Sequence, residues 1–472
     1  MTTGSLTARS GFLALVLAIT GMGLNTLNAP LLLDDVDQLS HVRSLRSLPA
    51  LLGPDCYGFL RPVKNLAFKA ISLTGAGAAV AAHVLSLALV LLAATLTFLL
   101  LARVLPRRGW AAAATAVWAL SPTNVSCLAW PSCLNIAASA CGMLAALRVW
   151  DAATRPIGLR AAVLILLCFL VSLLSYENAV AFPVLLVLWR WIRFRNLPAR
   201  GHEVLVPILC ALIAAVFVLA RLARGAATSI PNENFGPASH LVVALSSARF
   251  TMDHFLTWLW PWGRLGFNGT YTWHGSAGEK FALAAAWLGV LGIAGAAWTL
   301  RARRPIESLG LFWFLVAFLP TSNLVPLRNT PFADYYLFLP GLGLALALTE
   351  TVRRLTEAAP AGPGRVARRA LAAVLVGSRL AGIAVSISWS GAWKSEAELF
   401  RRTLAARPDT FTAMAGLARC RLLAGDLAEA RALARAAVEQ APWYGHGYFV
   451  LGSVHLQEGR WEEALPVFRR AA

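Results

Sequence analysis

Apolar residues run together again and again along this chain, in blocks close to the roughly 20 residues a helix needs to cross a hydrocarbon core of about 30 Å. Backbone amides cannot be left unpaired in lipid, so a chain built this way folds as a bundle of helices. The blocks fall at 11–33, 80–102, 109–121, 131–150, 160–175, 179–194, 204–222, 281–300, 309–327, 335–350 and 370–390, which predicts about 11 spans. The first block is followed by many others and lacks a small-x-small cleavage site, so it reads as a retained helix rather than a signal peptide. With 58% of the 472 residues hydrophobic and 14% charged, a cytosolic enzyme, a secreted disulfide scaffold and a DNA-binding domain are excluded.

The net charge of +19 would suit nucleic acid only if the basic residues shared one soluble face, and they are scattered between the apolar blocks. No nucleic-acid partner is expected. Four lysines (Lys64, Lys69, Lys280, Lys394) against many arginines, with abundant alanine, point to a GC-rich bacterial genome and hence to the inner membrane. Arginines cluster at Arg103, Arg107 and Arg108, at Arg148, Arg155 and Arg160, at Arg190, Arg193, Arg195 and Arg200, at Arg301, Arg303 and Arg304, and at Arg353, Arg354, Arg365, Arg368 and Arg369. Retained positive charge marks the cytoplasmic side, which places the N-terminus inside and, after an odd number of spans, everything beyond 390 outside. Segment 244–262 is apolar, but as a span it would reverse this order, so it reads as interfacial or re-entrant, with Trp258, Trp260 and Trp262 at headgroup level.

Beyond 391 a period of 34 appears: Pro408 and Pro442, Leu417 and Leu451, Gly425 and Gly459, Glu429-Ala430 and Glu463-Ala464, Ala437 and Ala471. That is the tetratricopeptide (TPR) period. Phe400 and Pro408 fit the second helix of an earlier partial repeat. The expected class is therefore all-α: a polytopic membrane bundle over 1–390 and a TPR α-solenoid over 391–472. Stacked repeats offer an extended concave surface to a protein partner, and their last face needs a cover, whether another repeat, a partner or the membrane domain.

Chemistry-bearing residues concentrate in the segments between blocks. Asp34, Asp35 and Asp37 follow the first block directly, either as a solvated helix end or as a general base at the water–lipid boundary. Such a wet position predicts little cost to folding when either acid is replaced. Arg61 and Lys64 precede an amphipathic stretch, 66–73, and suit either lipid headgroups or a phosphate leaving group, to which arginine offers a bidentate fork. Glu177 sits at a tight turn, where an acid is either a turn residue or a catalyst. His83, near the outer end of the second block, is either packed or functional. Cys56, Cys127 and Cys133 share one expected compartment and could pair, whereas Cys141, Cys168 and Cys210 lie within apolar blocks as packing residues. Two glycosylation-like triplets, at Asn124 and Asn268, read as chance in a bacterial chain. Arg379 in the last block is the one ionisable residue deep within a span, facing the bundle or pairing with an acid such as Glu350. No P-loop, dinucleotide fingerprint or metal-ligand spacing occurs.

Taken in order, these pieces resemble the transmembrane-and-TPR protein O-mannosyltransferases and their bacterial relatives in the GT-C glycosyltransferase superfamily. The resemblance is carried by Asp34-Asp35, Arg61-Pro62, His83, Ser121-Pro122 with Ala129-Trp130, Ser175-Tyr176-Glu177-Asn178, Asn323-Leu324-Val325-Pro326-Leu327 and Tyr336-Leu337-Phe338-Leu339-Pro340, followed by the repeats. It implies an inverting transfer of a mannose-like sugar from a polyprenyl-phosphate carrier to a hydroxyl of a protein acceptor outside the cytoplasm, without nucleotide, metal or other cofactor. Asp34 or Asp35 would be the base and Arg61 would meet the carrier phosphate, with Lys64, His83, Glu177 and Asp334 as further substrate-binding candidates. Ser121, Asn124, Cys127, Leu134, Ile136, Tyr176 and Tyr335 stand where that pattern has other residues. A second reading, a non-catalytic membrane-anchored TPR scaffold for envelope or secretion partners, differs in not requiring Asp34 and Asp35.

Overall fold

A computed structural model describes residues 3–194, 198, 200–223, 235–236, 238–324, 330–357 and 364–471. The backbone amides are satisfied almost wholly within helices. Among the described residues the one β-type pairing is an isolated bridge between Gly269 and Phe332. In chain order the helices are α1 (Thr3–Leu24), α2 (Asp34–Ser44), α3 (Leu48–Leu51), α4 (Pro62–Ser72), α5 (Ala78–Leu101), α6 (Arg108–Ala119), α7 (Val125–Ala129) and α8 (Leu134–Ala152). There follow α9 (Leu159–Ser175), α10 (Phe182–Arg193), α11 (His202–Ala223), α12 (His240–Leu259), α13 (Ala277–Leu300), α14 (Pro305–Phe318), α15 (Pro340–Glu357) and α16 (Gly364–Ser390). The last five are α17 (Glu396–Ala406), α18 (Phe411–Leu423), α19 (Leu427–Gln440), α20 (Gly445–Gln457) and α21 (Trp461–Ala471).

Each of the apolar blocks coincides with a helix. Among the described residues, five helices are long and apolar enough to cross a membrane: Gly75–Leu101, Pro131–Ala152, His202–Ala223, Ala277–Leu300 and Gly364–Lys394. Shorter apolar helices occupy Ser10–Leu24, Leu159–Ser175 and Pro305–Thr321.

Several expected boundaries move. The first helix ends at Leu24, not at 33, because turns at Thr26 to Ala29 and then Pro30 break the ladder. Asp34 and Asp35 thus open a separate helix rather than close the first. The block at 335–350 starts as a 3-10 turn over Asp334–Leu337, and the α-helix begins only at Pro340, whose fixed φ suits a first helical position. Val325-Pro326-Leu327 and Arg195 lie outside the described residues.

The chain divides into two compact units. The first comprises Met1–Arg224, Val290–Thr321 and Tyr335–Gly391. Its helices approach most closely where side chains vanish: a Cβ on Gly310 of α14 would lie 2.3 Å from the Gly343 carbonyl oxygen of α15, and a Cβ on Gly343 equally close to that of Gly310. At one end, arginines that the sequence presents as loose flanking charge are tied to buried acids. Asp151 receives Arg103, Arg193 (3.2 Å) and the Trp189 indole (3.1 Å), and Glu203 receives Arg155 and Arg190, each at 3.2 Å.

The second unit comprises Gly225–Gly289, Ser322–Asp334 and Ala392–Ala472. Its helical repeats take in α17 to α21, and α18 and α19 recur as α20 and α21. Gly416 leaves room for the Phe400 ring, which a Cβ there would meet at 2.4 Å. Segment 264–272 is fastened to the first repeat helices. The Phe267 amide donates to the Thr403 hydroxyl (3.0 Å), Arg407 binds Asp253 (2.6 Å), and Phe267 packs edge-on against Trp393. Within α12 and the turn after it, Trp258 is buried and Trp260 exposed, its ring 4.5 Å from that of Trp262.

Candidate functional site

The candidate site forms in the first unit where α2, α4, the 53–61 loop, the 121–134 hairpin, the 175–178 turn and the end of α11 converge. Three acids in the first turn of α2 complement the positive end of its dipole, and the Lys69 ammonium caps the other end by donating to the carbonyls of Val42 and Leu45, both at 2.8 Å. Leu39 and Val42 of α2 pack with Phe68 and Ile71 of α4 and with Ala78, Ala82 and Leu134 as the apolar floor. Above it, Gln38 donates to Asn65 (2.9 Å), and Asn65 in turn donates to the carbonyls of Leu51, Gly53 and Pro54. Leu33 enters this turn with φ of +52°, a region that costs a branched L-residue strain, immediately before the acid pair.

The two acids do different things. Asp35 is fully buried, contrary to the wet position expected of it. Its carboxylate accepts the amides of Leu32 (3.2 Å) and Ser132 (2.6 Å), so the hairpin clamps it. Burial pushes the Asp35 carboxyl up to about 7, outweighing those hydrogen bonds. Asp34 is only partly buried and accepts the Tyr57 hydroxyl at 3.2 Å, which also reaches Asp37 at 2.7 Å. Burial raises the Asp34 carboxyl too, against the opposing pull of Lys64. Of the pair, Asp34 is the one that is not fully buried.

Beside the acids lies a cationic group assembled from distant parts of the chain. Arg61 binds Glu177 through both arms, Nε to Oε2 at 2.9 Å and Nη2 to Oε1 at 2.7 Å, and its guanidinium stacks over Phe59 and Tyr176. The fork expected to be open for a phosphate is therefore already filled. Glu177 is buried, which would raise its carboxyl, yet Arg61 and Arg221 hold it down at about 2. Arg221, at the end of α11, reaches Glu177 at 3.3 Å, and among the described residues its Nη2 has no hydrogen-bond partner. Lys64 is buried 3.9 Å from Asp55, whose other oxygen accepts the amides of Tyr57 and Phe59.

The remaining sequence candidates separate. His83 is buried, with Nε2 at 3.1 Å from the Ala29 carbonyl, and so holds the 25–33 connector. Asp334 belongs to the second unit, where it accepts the Gly266 amide at 3.2 Å and burial pushes it up to about 7 against the field of Arg407. Glu350, considered as a partner for Arg379, is taken by Arg353 and Arg354. Arg379 lines an apolar groove of about 220 Å³ with Trp110, Leu120, Val352 and Ile383.

Sequence reasoning missed Arg221, Asp55, Tyr57 and Ser132. For Arg221 a signal existed: an arginine in the last turn of an apolar helix is costly unless it has work. Ser132 acts through its amide, which no side-chain pattern reveals.

Residues 397–443 match the tetratricopeptide repeat family. Over 129 residues the chain is 32% identical to Protein O-mannosyl-transferase TMTC4 of Mus musculus. The aligned part is 27% of this chain, and the chain spans 17% of that relative's length. The chain is thus an all-helical protein with several apolar helices of membrane-crossing length and a C-terminal TPR segment, and it is similar in part to a glycosyltransferase.

Proposed function

We propose that the protein is a membrane glycosyltransferase of the GT-C type, which moves a mannose-like sugar from a polyprenyl-phosphate carrier to a hydroxyl group of a protein acceptor on the extracytoplasmic side of a bacterial inner membrane. The observation that carries this reading is the division of labour between adjacent acids beside a buried cationic group: Asp35 clamped by two amides, Asp34 partly open, and Arg221 with Nη2 unpartnered among the described residues. The partial likeness to an O-mannosyl-transferase adds support.

In this reading Asp34 is the general base and Asp35 a positioning residue. The acceptor O–H gives its proton to the Asp34 carboxylate as its oxygen bonds to the anomeric carbon. The bond from that carbon to the carrier oxygen breaks with its electron pair, and the polyprenyl phosphate leaves. Burial raises the Asp34 carboxyl, which makes its carboxylate a stronger base. The departing phosphate meets Arg221, with Arg61 fixing Glu177 between the two arginines and Lys64, buried near Asp55, adding positive charge behind them. Lipid-linked sugar is the donor, and no nucleotide or metal takes part. Eleven spans with the N-terminus inside would place the repeats outside, where they hold the protein acceptor.

The test is transfer of labelled sugar from a lipid-linked donor pool in membranes at matched protein levels. Asp34→Asn is expected to lose about 10²–10⁴-fold, the usual value of general-base assistance. Arg221→Ala is expected to weaken donor use. Wild-type transfer by the double Asp34→Asn, Asp35→Asn protein would remove the acids from the mechanism, and transfer from a nucleotide sugar without lipid carrier would overturn the donor. An inert wild type that still captures partners through 391–472 would favour the scaffold.

A further inference from the structure

A cavity of about 550 Å³ opens within the second unit, walled by α12, the first turns of α13, the 270–274 segment, the loop after α17 and the end of α19. None of its lining residues belongs to the candidate site of the first unit. Its size is that of a small-molecule site, and its frame is tied together by the chain itself. The Thr270 hydroxyl (3.4 Å) and the Gln440 side-chain amide both donate to the Asp409 carbonyl, while Arg407 holds Asp253 (2.6 Å) and stacks over the Phe332 ring. On α13, Ala282, Ala285 and Ala286 fall on one helical face, and their small side chains leave the opening clear.

Four lining groups keep hydrogen-bonding capacity that the described residues do not use. The Arg249 guanidinium lies over the Tyr271 ring, 5.1 Å from its centre, with no acid paired to it among the described residues. The Thr272 hydroxyl, the Asp409 carboxylate and the Gln440 side-chain oxygen likewise have no partner among the described residues. One of the four only donates, two only accept, and the hydroxyl does both. An anion in this cavity would face Asp253, Glu279 and Asp409, and a cation would face Arg249 and Arg407, so neither suits the lining as a whole. A ligand rich in hydroxyl groups, each able to donate and accept, meets all four without adding charge. We infer that this cavity binds a hexose unit, its hydroxyls bonded to Arg249, Thr272, Asp409 and Gln440 and a C–H face set against the three alanines. The inference concerns binding alone and goes beyond the transfer chemistry proposed above.

The test titrates purified full-length protein, in a detergent without a sugar headgroup and with no lipid-linked donor, with methyl α-mannoside, methyl α-glucoside and methyl β-galactoside. Saturation-transfer NMR reads the binding. At least one hexoside should bind with a Kd of about 1 mM, the order expected for a ligand of this size. Arg249→Gln should weaken that binding roughly 10-fold or more, as the loss of a charged hydrogen bond does. Ala285→Leu, at an exposed position, should fill the opening and abolish binding, and it decides the matter should Arg249→Gln fail to fold. No hexoside bound at about 10 mM, ten times the expected Kd, would overturn the inference, as would binding that both variants leave unchanged. Binding of acetate or diglycine in place of the hexosides would overturn it too. A short peptide with one hexosyl-threonine separates the sources of the sugar: binding tighter than that of the free hexoside assigns a protein-linked unit, and equal binding assigns free sugar. A bare peptide that binds as well as the modified one, with no hexoside bound, would make this a peptide site and sink the proposal. Sugar transfer enters none of these readouts, so their failure leaves the roles of Asp34 and Arg221 to be judged by their own assay.

Discussion

Replacing Glu177 with glutamine keeps the shape of the side chain and removes its charge, so the variant stands in for wild type with that carboxyl protonated. A carboxyl held at about 2 rather than 4.5 corresponds, at about 1.4 kcal/mol per pH unit, to roughly 3 kcal/mol of folded-state stability. The group is buried, so solvent screening does not dilute that figure, and it agrees with the roughly 3–5 kcal/mol lost when one partner of a buried pair is removed. Because the folded pKa is depressed, this stability is fully present above 4.5 and is lost only as pH falls through about 2. Glu177→Gln is therefore expected to lose about 3 kcal/mol throughout pH 6–8, with no recovery across that range. The assay is denaturant unfolding of detergent-purified protein at several pH values, with Glu462→Gln, an exposed acid, as a control expected within about 0.5 kcal/mol of wild type. Removing Arg61 as well should recover part of the loss, since one of the two stranded guanidinium groups then goes. A Glu177→Gln protein as stable as wild type would refute the account of Arg61, Glu177 and Arg221 as a mutually dependent buried group.

Asp35 carries the opposite sign. Its folded carboxyl, at about 7 rather than 3.8, holds a proton that the unfolded chain has released, so stability should decline as pH rises from about 4 to 7 and then level off; Asp35→Asn should flatten that slope, leaving the share that Asp34 and Asp334 contribute. Comparing the slopes of the two proteins in the same unfolding assay checks this, and identical slopes would count against it. Gly310→Ala should force α14 and α15 apart, because its Cβ would sit 2.3 Å from the Gly343 carbonyl oxygen, and should cost about 1–3 kcal/mol by thermal unfolding.

What could be read from the sequence follows from the range of the interactions involved. The helices at the apolar blocks are encoded locally, by runs of residues that cannot stay in water, and the repeats by residues recurring at a fixed spacing. Pairings across long separations left no such mark. Arg61 and Glu177 are 116 residues apart, and the sequence showed two plausible charged residues without showing that each fills the other. Asp34 and Asp35 were visible as a pair, but their division of roles depends on the amide of Ser132, 97 residues from Asp35. The early stop of α1 is hidden in the sequence because apolar residues continue past Leu24 while the backbone, turning at Thr26 and meeting Pro30, cannot continue the helix.

The second unit is gathered from three separate stretches, and this sets a timetable for the newborn chain. Asp253 leaves the ribosome 154 residues ahead of Arg407, its partner. At about 5–20 residues per second that is a wait of roughly 10–30 s. During that interval Asp253 has the Arg264 guanidinium of its own stretch (3.4 Å) but not that of Arg407, and the Phe267 amide lacks the Thr403 hydroxyl that receives it. The repeats therefore finish an assembly begun much earlier, and a ribosome that stalls within them strands polar groups well upstream of the stall.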